Sequence, residues 1–368
     1  MKQIKSITKQ TKENILKSNN LLWKRKWKIF KKNKFALSAA LLIILLYILA
    51  IFAPFFAPYS PNRNFRNKFF HPPTRIQIRD EAGFRSPYIY KTEVKGWADY
   101  EINREKKYPL RFFTRGDEYQ LFGLINTDLH LFQVEGDIPI FLLGSDNYGR
   151  DLFTRILYGA RVSLFIGFGA IIITTFFGLI IGGISGYYGG WIDNLVMRIV
   201  EVIMSIPSFY LLLALAAVLP VEISSGFRFF LIISILAFQG WAGMARVIRG
   251  MVLSVKEKEY VAAAKAMGAR DKRIIAKHIL PATTTYVIIR ATIAIPGYII
   301  MESGLSFIGL GIQEPSASWG NMLTAAQNIT KISDFPWLLL PGFFIFLTVL
   351  SYNILGDGLR DALDPKHK

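Results

Sequence analysis

The stretch Glu259-Tyr-Val-Ala-Ala-Ala-Lys-Ala-Met-Gly268, followed by Leu280-Pro281, has the residue pattern most suited to a task in this chain. Its chemistry is docking rather than catalysis. Tyr260, Ala264 and Met267 fall at helical spacing and predict one apolar stripe. Ala262, Ala263, Ala264 and Ala266 make the segment slim and strongly helix-favouring. Gly268 suits a left-handed helix cap, Asp271 suits the start of a second helix, and Pro281 is expected to bound it. The outcome is a helix-turn-helix elbow. Its small side chains allow close insertion into a groove, and its flanking cations can meet an acidic surface. The alternative reading is an ordinary interfacial linker.

Other residues that could do chemistry are sparse. The four histidines, His71, His130, His278 and His367, have no metal-ligand spacing. With no cysteine, disulfides, thiol catalysis and Cys-based metal sites are excluded. No Gly-x-x-x-x-Gly-Lys-Ser/Thr loop occurs, so the chain carries no ATP site of the P-loop kind. Arg198 and Glu201 stand three apart and can pair on one helix. Glu302 falls deep in an apolar run after Pro296-Gly297. A carboxylate at a bilayer centre costs about 2.5–3.5 kcal/mol on insertion scales, so Glu302 must face protein or a water-filled path. Helix packing and a pathway or gate role both fit Glu302, Pro296 and Gly297. Arg290 lies about 18 Å away along a straight helix, too far to pair with it. The triplet Arg115-Gly116-Asp117 reads as a turn.

The elements that must position these residues are membrane spans. Of 368 residues, 52% are hydrophobic, gathered in runs of the length a helix needs to cross a bilayer. The net charge of +18 raises the question of nucleic acid. No groove-reading motif or folded basic domain accompanies it, and cationic flanks of membrane helices explain it better. Residues 1–34 form a basic cytoplasmic tail with no cleavable signal pattern. Its cluster Trp23-Lys-Arg-Lys-Trp-Lys28 is read as a topology signal, with an interfacial lipid-binding helix as the alternative.

Six spans are expected: about Phe35–Phe56, Val162–Ile184, Leu195–Leu219 with a kink at Pro207, Phe229–Val247, Thr283–Leu310 interrupted at Pro296-Gly297, and Pro336–Leu355. Gly178, Gly182 and Gly186 lie on one face of the second, where small residues let another helix approach. Between the first two spans, residues 59–158 form a nearly neutral, β-rich extracytoplasmic insertion. Within it, Leu110 to Phe122 reads as two short strands around a Gly turn, and Ile138 to Leu143 as another short apolar run. Residues 159–355 make the core, with a cytoplasmic loop at 246–281, and 356–368 a cytoplasmic C-terminal tail. The loop from Arg246 to His278 carries nine Lys/Arg against three acids, as a loop on the inside should.

The elbow resembles the "EAA" loop of ABC importer permeases, whose pattern is Glu-Ala-Ala-x3-Gly followed by Leu-Pro. Ala262 stands where that family has Glu; Ala263, Ala264, Gly268, Leu280 and Pro281 match, and His278 replaces an Ile. Leu143-Gly-Ser-Asp-Asn-Tyr-Gly-Arg-Asp-Leu152, Tyr158-Gly-Ala-Arg161, Gly186-Tyr-Tyr-Gly-Gly190, Leu305-Ser-Phe-Ile-Gly-Leu-Gly311, Ser318-Trp-Gly320 and Leu355-Gly-Asp-Gly-Leu-Arg-Asp-Ala-Leu-Asp-Pro365 are similar to the C-type permease of the oligopeptide/dipeptide/nickel class. The resemblance implies an all-α integral membrane fold of the type I importer kind, in a prokaryotic inner membrane, with both termini cytoplasmic. It implies no enzyme activity and no cofactor in this chain. ATP and Mg would be bound by two ABC ATPase subunits, alongside a second permease of similar fold and an extracytoplasmic substrate-binding protein. Peptides are the expected cargo; nickel, opines or oligosaccharides are the alternative within the same architecture. A secondary transporter, which would need no ATPase, and a membrane scaffold remain as rivals.

Overall fold

The computed structural model describes residues 24–80, 83–136, 138–220 and 222–363. Most of the basic tail, Trp23 included, and the last five residues with His367 lie outside them. A short helix at 24–32 (α1) leads into α2 (Lys34–Ile51), where the Asn33 side chain accepts the Ala36 N–H as an N-cap. Phe52 ends α2, and a single turn, α3 (Ala53–Phe56), follows with Pro54 in its first turn, where the missing N–H is not needed.

Four antiparallel strands come next, in the order β1 (Gln77–Asp80), β2 (Gly83–Gly96), β3 (Asp99–Leu121) and β4 (Ile125–Val134). The first half of β3 pairs with β2 and its second half with β4, so one long strand serves two successive hairpins. Tyr59, Ile89, Leu110, Phe132, Val134 and Ile140 give this region an apolar cluster of its own, joined by Phe153 from the following helix.

The insertion is β-rich, as expected, but its detail differs. Leu110 to Phe122 is not a pair of strands around Gly116. It lies in one strand that is irregular between Arg115 and Tyr119. Gly116 is there for space rather than for a turn: an added Cβ would come 1.9 Å from Gln133 Nε2 and 2.7 Å from His130 Cδ2. The chain reverses instead at Phe122-Gly123, both with positive φ, as tight hairpins favour. Residues 138–143 form no strand. Ile140 and Phe141 are fully buried, and their amides donate to the Tyr59 hydroxyl and Thr74 Oγ1.

Among the described residues, five helices are long and apolar enough to cross a membrane, or six if one bent pair counts as a single span. α4 (Leu152–Tyr188) begins well before Val162, because Asp151 caps it by accepting from the Thr154 amide and hydroxyl. The expected insertion boundary at Tyr158 therefore falls inside this helix. The third span is not a kinked rod. α5 (Gly190–Ser205) and α6 (Ser208–Ala217) meet at 83° around Pro207. α7 (Ser225–Lys256) follows, then α8 (Glu259–Ala266) and α9 (Asp271–Ile274).

A π-helical turn (Ile275–Ile279) joins α9 to α10 (Leu280–Phe307), so one helical stretch runs from Asp271 to Phe307. Neither expected break interrupts it. Pro281 sits in the first turn of α10, past the π turn, and Pro296 lies within the helix. Short turns α11 (Trp319–Met322) and α12 (Ile329–Asp334) precede α13 (Leu340–Leu363). α13 continues past Leu355, so the expected tail boundary at 356 lies within a helix.

The bundle core joins α2, α4, α7, α10 and α13 through residues such as Leu46, Leu164, Ile166, Ile232, Leu236, Ile248, Ile299 and Tyr352. The α4–α7 contact is the most extensive between helices. A Cβ at Gly178 would come 2.4 Å from Met244 Cγ, at Gly182 2.4 Å from the Ala245 carbonyl oxygen, and at Gly186 2.8 Å from the Arg249 carbonyl oxygen. The glycine stripe thus lets two helix backbones touch, which in lipid is a main source of association.

Candidate functional site

The elbow is built by α8 and the turn that follows it. Glu259 in the first turn of α8 and Lys265 in the last complement the helix dipole. At the far end Gly268 adopts φ +79°. Its N–H donates to the Lys265 carbonyl at 2.9 Å, and that of Ala269 to the Ala264 carbonyl at 3.1 Å. This paired closure satisfies carbonyls the helix end would leave open. Arg270 then stands at the N-cap position of α9 without a side-chain cap bond, and Asp271 lies in its first turn.

Val261 and Ala264, three apart, are buried, and Val261 joins the bundle core together with Ile274 and Ile279. Ala262, Ala263, Ala266 and Gly268 are exposed, as are Tyr260 and, at 82%, Met267. The predicted stripe of Tyr260, Ala264 and Met267 is therefore divided. Ala264 holds the helix down with Val261, while Tyr260 and Met267 border a slim alanine face open to solvent. An unpartnered Met and Tyr beside such a face suit close docking.

Polar contacts fix the platform beneath. Tyr187, near the end of α4, donates to Asp271 at 2.6 Å. Asp193 of α5 accepts from Arg249 Nε of α7 at 2.8 Å and from Ser185 of α4 at 2.5 Å. α4, α5, α7 and α9 are thereby locked around the base of the elbow. Sequence reasoning missed both contacts, although Tyr187 lies in the quoted Gly-Tyr-Tyr-Gly-Gly motif.

Glu302, at the other end of the Asp271–Phe307 stretch, is completely buried. It accepts from Ser306 at 2.7 Å and Ser163 of α4 at 3.0 Å. Those hydroxyls in turn accept the backbone amides of Ile312 and Trp319, at 2.9 and 3.2 Å. The carboxylate therefore ties the 308–320 segment to both α4 and α10. Gly320 fits only as glycine, since a Cβ would lie 2.4 Å from the Ser303 carbonyl oxygen. Pro296 is buried too, and beside Gly297 there is open space. Of the three residues assigned to a pathway or gate, only Gly297 borders free volume in this chain. Arg290 makes no ion pair with Glu302, and Arg198 and Glu201 pair at 2.9 Å on an exposed face.

A second cluster was not foreseen. Arg150 donates to Asp146 through Nε at 2.7 Å, and to both oxygens of Glu314 at 2.6 and 2.9 Å. Arg155 adds a bond to Glu314 at 3.0 Å. Burial pushes the Glu314 carboxyl up, but the two arginines outweigh it and hold it below the usual carboxylate range. These groups line a cavity of about 400 Å³ that also reaches Lys331. Among the described residues, no group of three or more His, Asp or Glu side chains is placed to hold a metal ion.

A bundle of long apolar helices carrying an exposed, glycine-capped helical elbow is the architecture of a multi-pass membrane protein. Comparison with known proteins makes this specific. Residues 178–368 match the binding-protein-dependent transport system inner membrane component, and residues 22–73 match the N-terminal transmembrane domain of oligopeptide transport permease C. The dipeptide transport system permease protein DppC of Bacillus subtilis is 36% identical over 92% of this chain and 84% of its own length. The oligopeptide transport system permease protein OppC of the same organism is 32% identical over 96% and 93%. OppC of Haemophilus influenzae is 43% identical over 61% of this chain and 70% of its own length. The chain belongs to the binding-protein-dependent transport permease family.

Proposed function

We propose that this chain forms half of the translocation pathway of an ABC importer for oligopeptides or dipeptides. The peptide cargo rests on the names of the relatives. The coupling role rests on one observation: an exposed helix with a slim alanine face, flanked by Tyr260 and Met267 and standing on a hydrogen-bonded platform. In this reading Tyr260, Ala262, Ala263, Ala264, Met267 and Gly268 form the loop that engages an ATPase subunit. Two such subunits bind ATP and Mg, a second permease completes the pathway, and a substrate-binding protein delivers cargo from outside. Closure of the ATPase dimer moves the elbow, and with it the Asp271–Phe307 helical stretch. Glu302, Pro296 and Gly297 then act as parts of a gate, with Glu302 as its latch.

The bent α5–α6 pair counts as one span, giving six. Both termini and the elbow lie in the cytoplasm, and the strands lie outside a prokaryotic inner membrane. The excess of cations around the elbow supports this orientation.

The chain has no native cysteine, so Met267→Cys gives a single cross-linking site. Disulfide or maleimide capture of a co-expressed ATPase subunit through position 267, together with ATP-dependent peptide uptake, is the expected result. No capture and uptake independent of ATP would overturn the assignment. Orientation is tested separately with Glu105→Cys, which should react with a membrane-impermeant thiol reagent in whole cells once any outer barrier is opened.

A further inference from the structure

The β3–β4 hairpin carries apolar surface left exposed among the described residues. Phe113 is 66% exposed, Phe122 59%, Leu124 85% and Ile125 57%. From Tyr119 to Thr127 the sequence contains no charged residue, whereas the neighbouring β2–β3 hairpin is dense in lysine, arginine and glutamate. A contiguous apolar tip of this kind marks an interaction site.

Its position identifies the partner. β4 runs back along the segment that leaves α2. Gln133 Nε2 donates to the Pro58 carbonyl at 3.1 Å, and His130 Nδ1 lies 2.6 Å from the Ala57 carbonyl. At the tip, the Phe122 ring stands edge-on to Phe52 with centroids 5.9 Å apart; nearer the base of the hairpin, Phe113 lies 6.3 Å from Phe55. The hairpin therefore descends toward the membrane, and its tip reaches the residue that ends α2. α2 has 18 residues, about 27 Å of helix, which is close to the thickness of the hydrocarbon core. Phe52 thus marks one edge of that core, and the tip lies at the same depth.

We propose that the tip of the β3–β4 hairpin is a lipid anchor, with Phe122, Leu124 and Ile125 seated in the headgroup–acyl boundary of the leaflet where α2 ends. Aromatic side chains favour this zone. Apolar faces of interfacial elements sink about 5–10 Å into it. The backbone of the hairpin is paired internally, and the turn closes with the Leu124 N–H donating to the Leu121 carbonyl at 3.1 Å. Little of the main chain is therefore left to be desolvated. Nothing cationic stands between Tyr119 and Thr127, so the anchor takes bilayer lipid as a class rather than an anionic headgroup. The inference does not depend on cargo or on which side of the membrane the strands occupy.

The test uses the full chain in phosphatidylcholine nanodiscs. Leu124→Cys carries an environment-sensitive fluorophore, and phospholipid spin-labelled near the top of its acyl chain serves as quencher. Glu105→Cys on the other hairpin is the control. The expected result is blue-shifted emission and a markedly steeper quenching slope at position 124 than at 105. Equal slopes overturn the proposal. Protection of position 124 from the lipid quencher in the intact importer overturns it too, and assigns the patch to a protein partner.

Discussion

Replacing Glu302 by leucine should destabilise the chain, and the structure bounds the amount. The carboxylate's two shorter bonds come from the buried hydroxyls of Ser306 and Ser163, which themselves anchor the amides of Ile312 and Trp319; Ser303 adds a longer one at 3.4 Å. Leucine leaves both hydroxyl protons without an acceptor. In soluble proteins each stranded donor costs about 1–3 kcal/mol. Inside membranes, interhelical hydrogen bonds average about 0.6 kcal/mol and reach about 1.7. Two bonds on the membrane scale amount to about 1–3.5 kcal/mol, and the lower scale applies because the unfolded reference state also finds partners in lipid. Glu302→Gln keeps one acceptor oxygen and should lose less than half of that. Ser306→Ala should lose about one bond, and combining it with Glu302→Leu should cost less than the sum, since both remove the same contact. The assay is unfolding of the purified full chain in detergent, followed by peptide uptake in the assembled importer. If the leucine variant matches the parent in stability, or if the two substitutions are strictly additive, the latch reasoning fails.

At Gly268 an added Cβ meets open space, so only the left-handed backbone resists substitution. Gly268→Ala should weaken the α8 cap by about 1–2 kcal/mol and Gly268→Asn by less, with ATPase co-purification falling in that order and membrane insertion unchanged; Gly268→Asp adds a charge at the docking face and should fall furthest. Gly182→Leu should be worse than any elbow variant for folding, because even a Cβ meets the Ala245 carbonyl; at least the roughly 1–3 kcal/mol of an overpacked core is expected, read as loss of monodisperse protein on size exclusion. Burial pushes the His71 imidazole down to about 4, with Lys68 adding to the effect. The unfolded side chain takes up a proton near pH 6.5, so between those values the unfolded state holds more protons. The stability contribution, at most about 3 kcal/mol, is complete above about pH 6.5 and fades as pH falls toward 4. The difference in melting temperature between parent and His71→Phe should therefore change with pH in that window; the raised Asp151 carboxyl, near 7, acts in the opposite sense but is common to both proteins. Parallel pH profiles would count against this.

Local rules made much of the elbow and the bundle legible. Alanine runs, a glycine suited to a left-handed cap and small residues four apart each act through nearby backbone, so α8, the Gly268 cap and a close helix approach on the glycine face of α4 follow from spacing, though not that the approaching helix is α7. What escaped depended on distant partners. Gly116 reads as a turn until Gln133 and His130 are known to pack over it. Pro281 reads as a helix stop, yet the π turn before it places it in a first turn, where proline costs nothing. Pro207 announces a bend but not its size, because the 83° depends on what the two halves pack against. Arg150 and Glu314 are 164 residues apart, and no periodicity relates them. The divided stripe on α8 follows the same logic: Tyr260, Ala264 and Met267 share helical spacing, but the core beneath decides which of them is covered.

The unbroken run from Asp271 to Phe307 has a mechanical consequence. Its 37 residues make a rod about 55 Å long, with the elbow at one tip and Glu302 near the other. A rod pivoted near its middle trades displacement for displacement. A tilt of about 5° sweeps each tip through about 2.4 Å, in opposite senses, by the same length. That distance is comparable to the bonds Glu302 makes, so under the proposed gating a stroke small enough to break them would also be the stroke felt at the elbow. The π turn at Ile275–Ile279 is where the rod is wound differently, beginning four residues in from Asp271, and in the proposed scheme slack introduced there would blunt the stroke before it reached the middle of the rod.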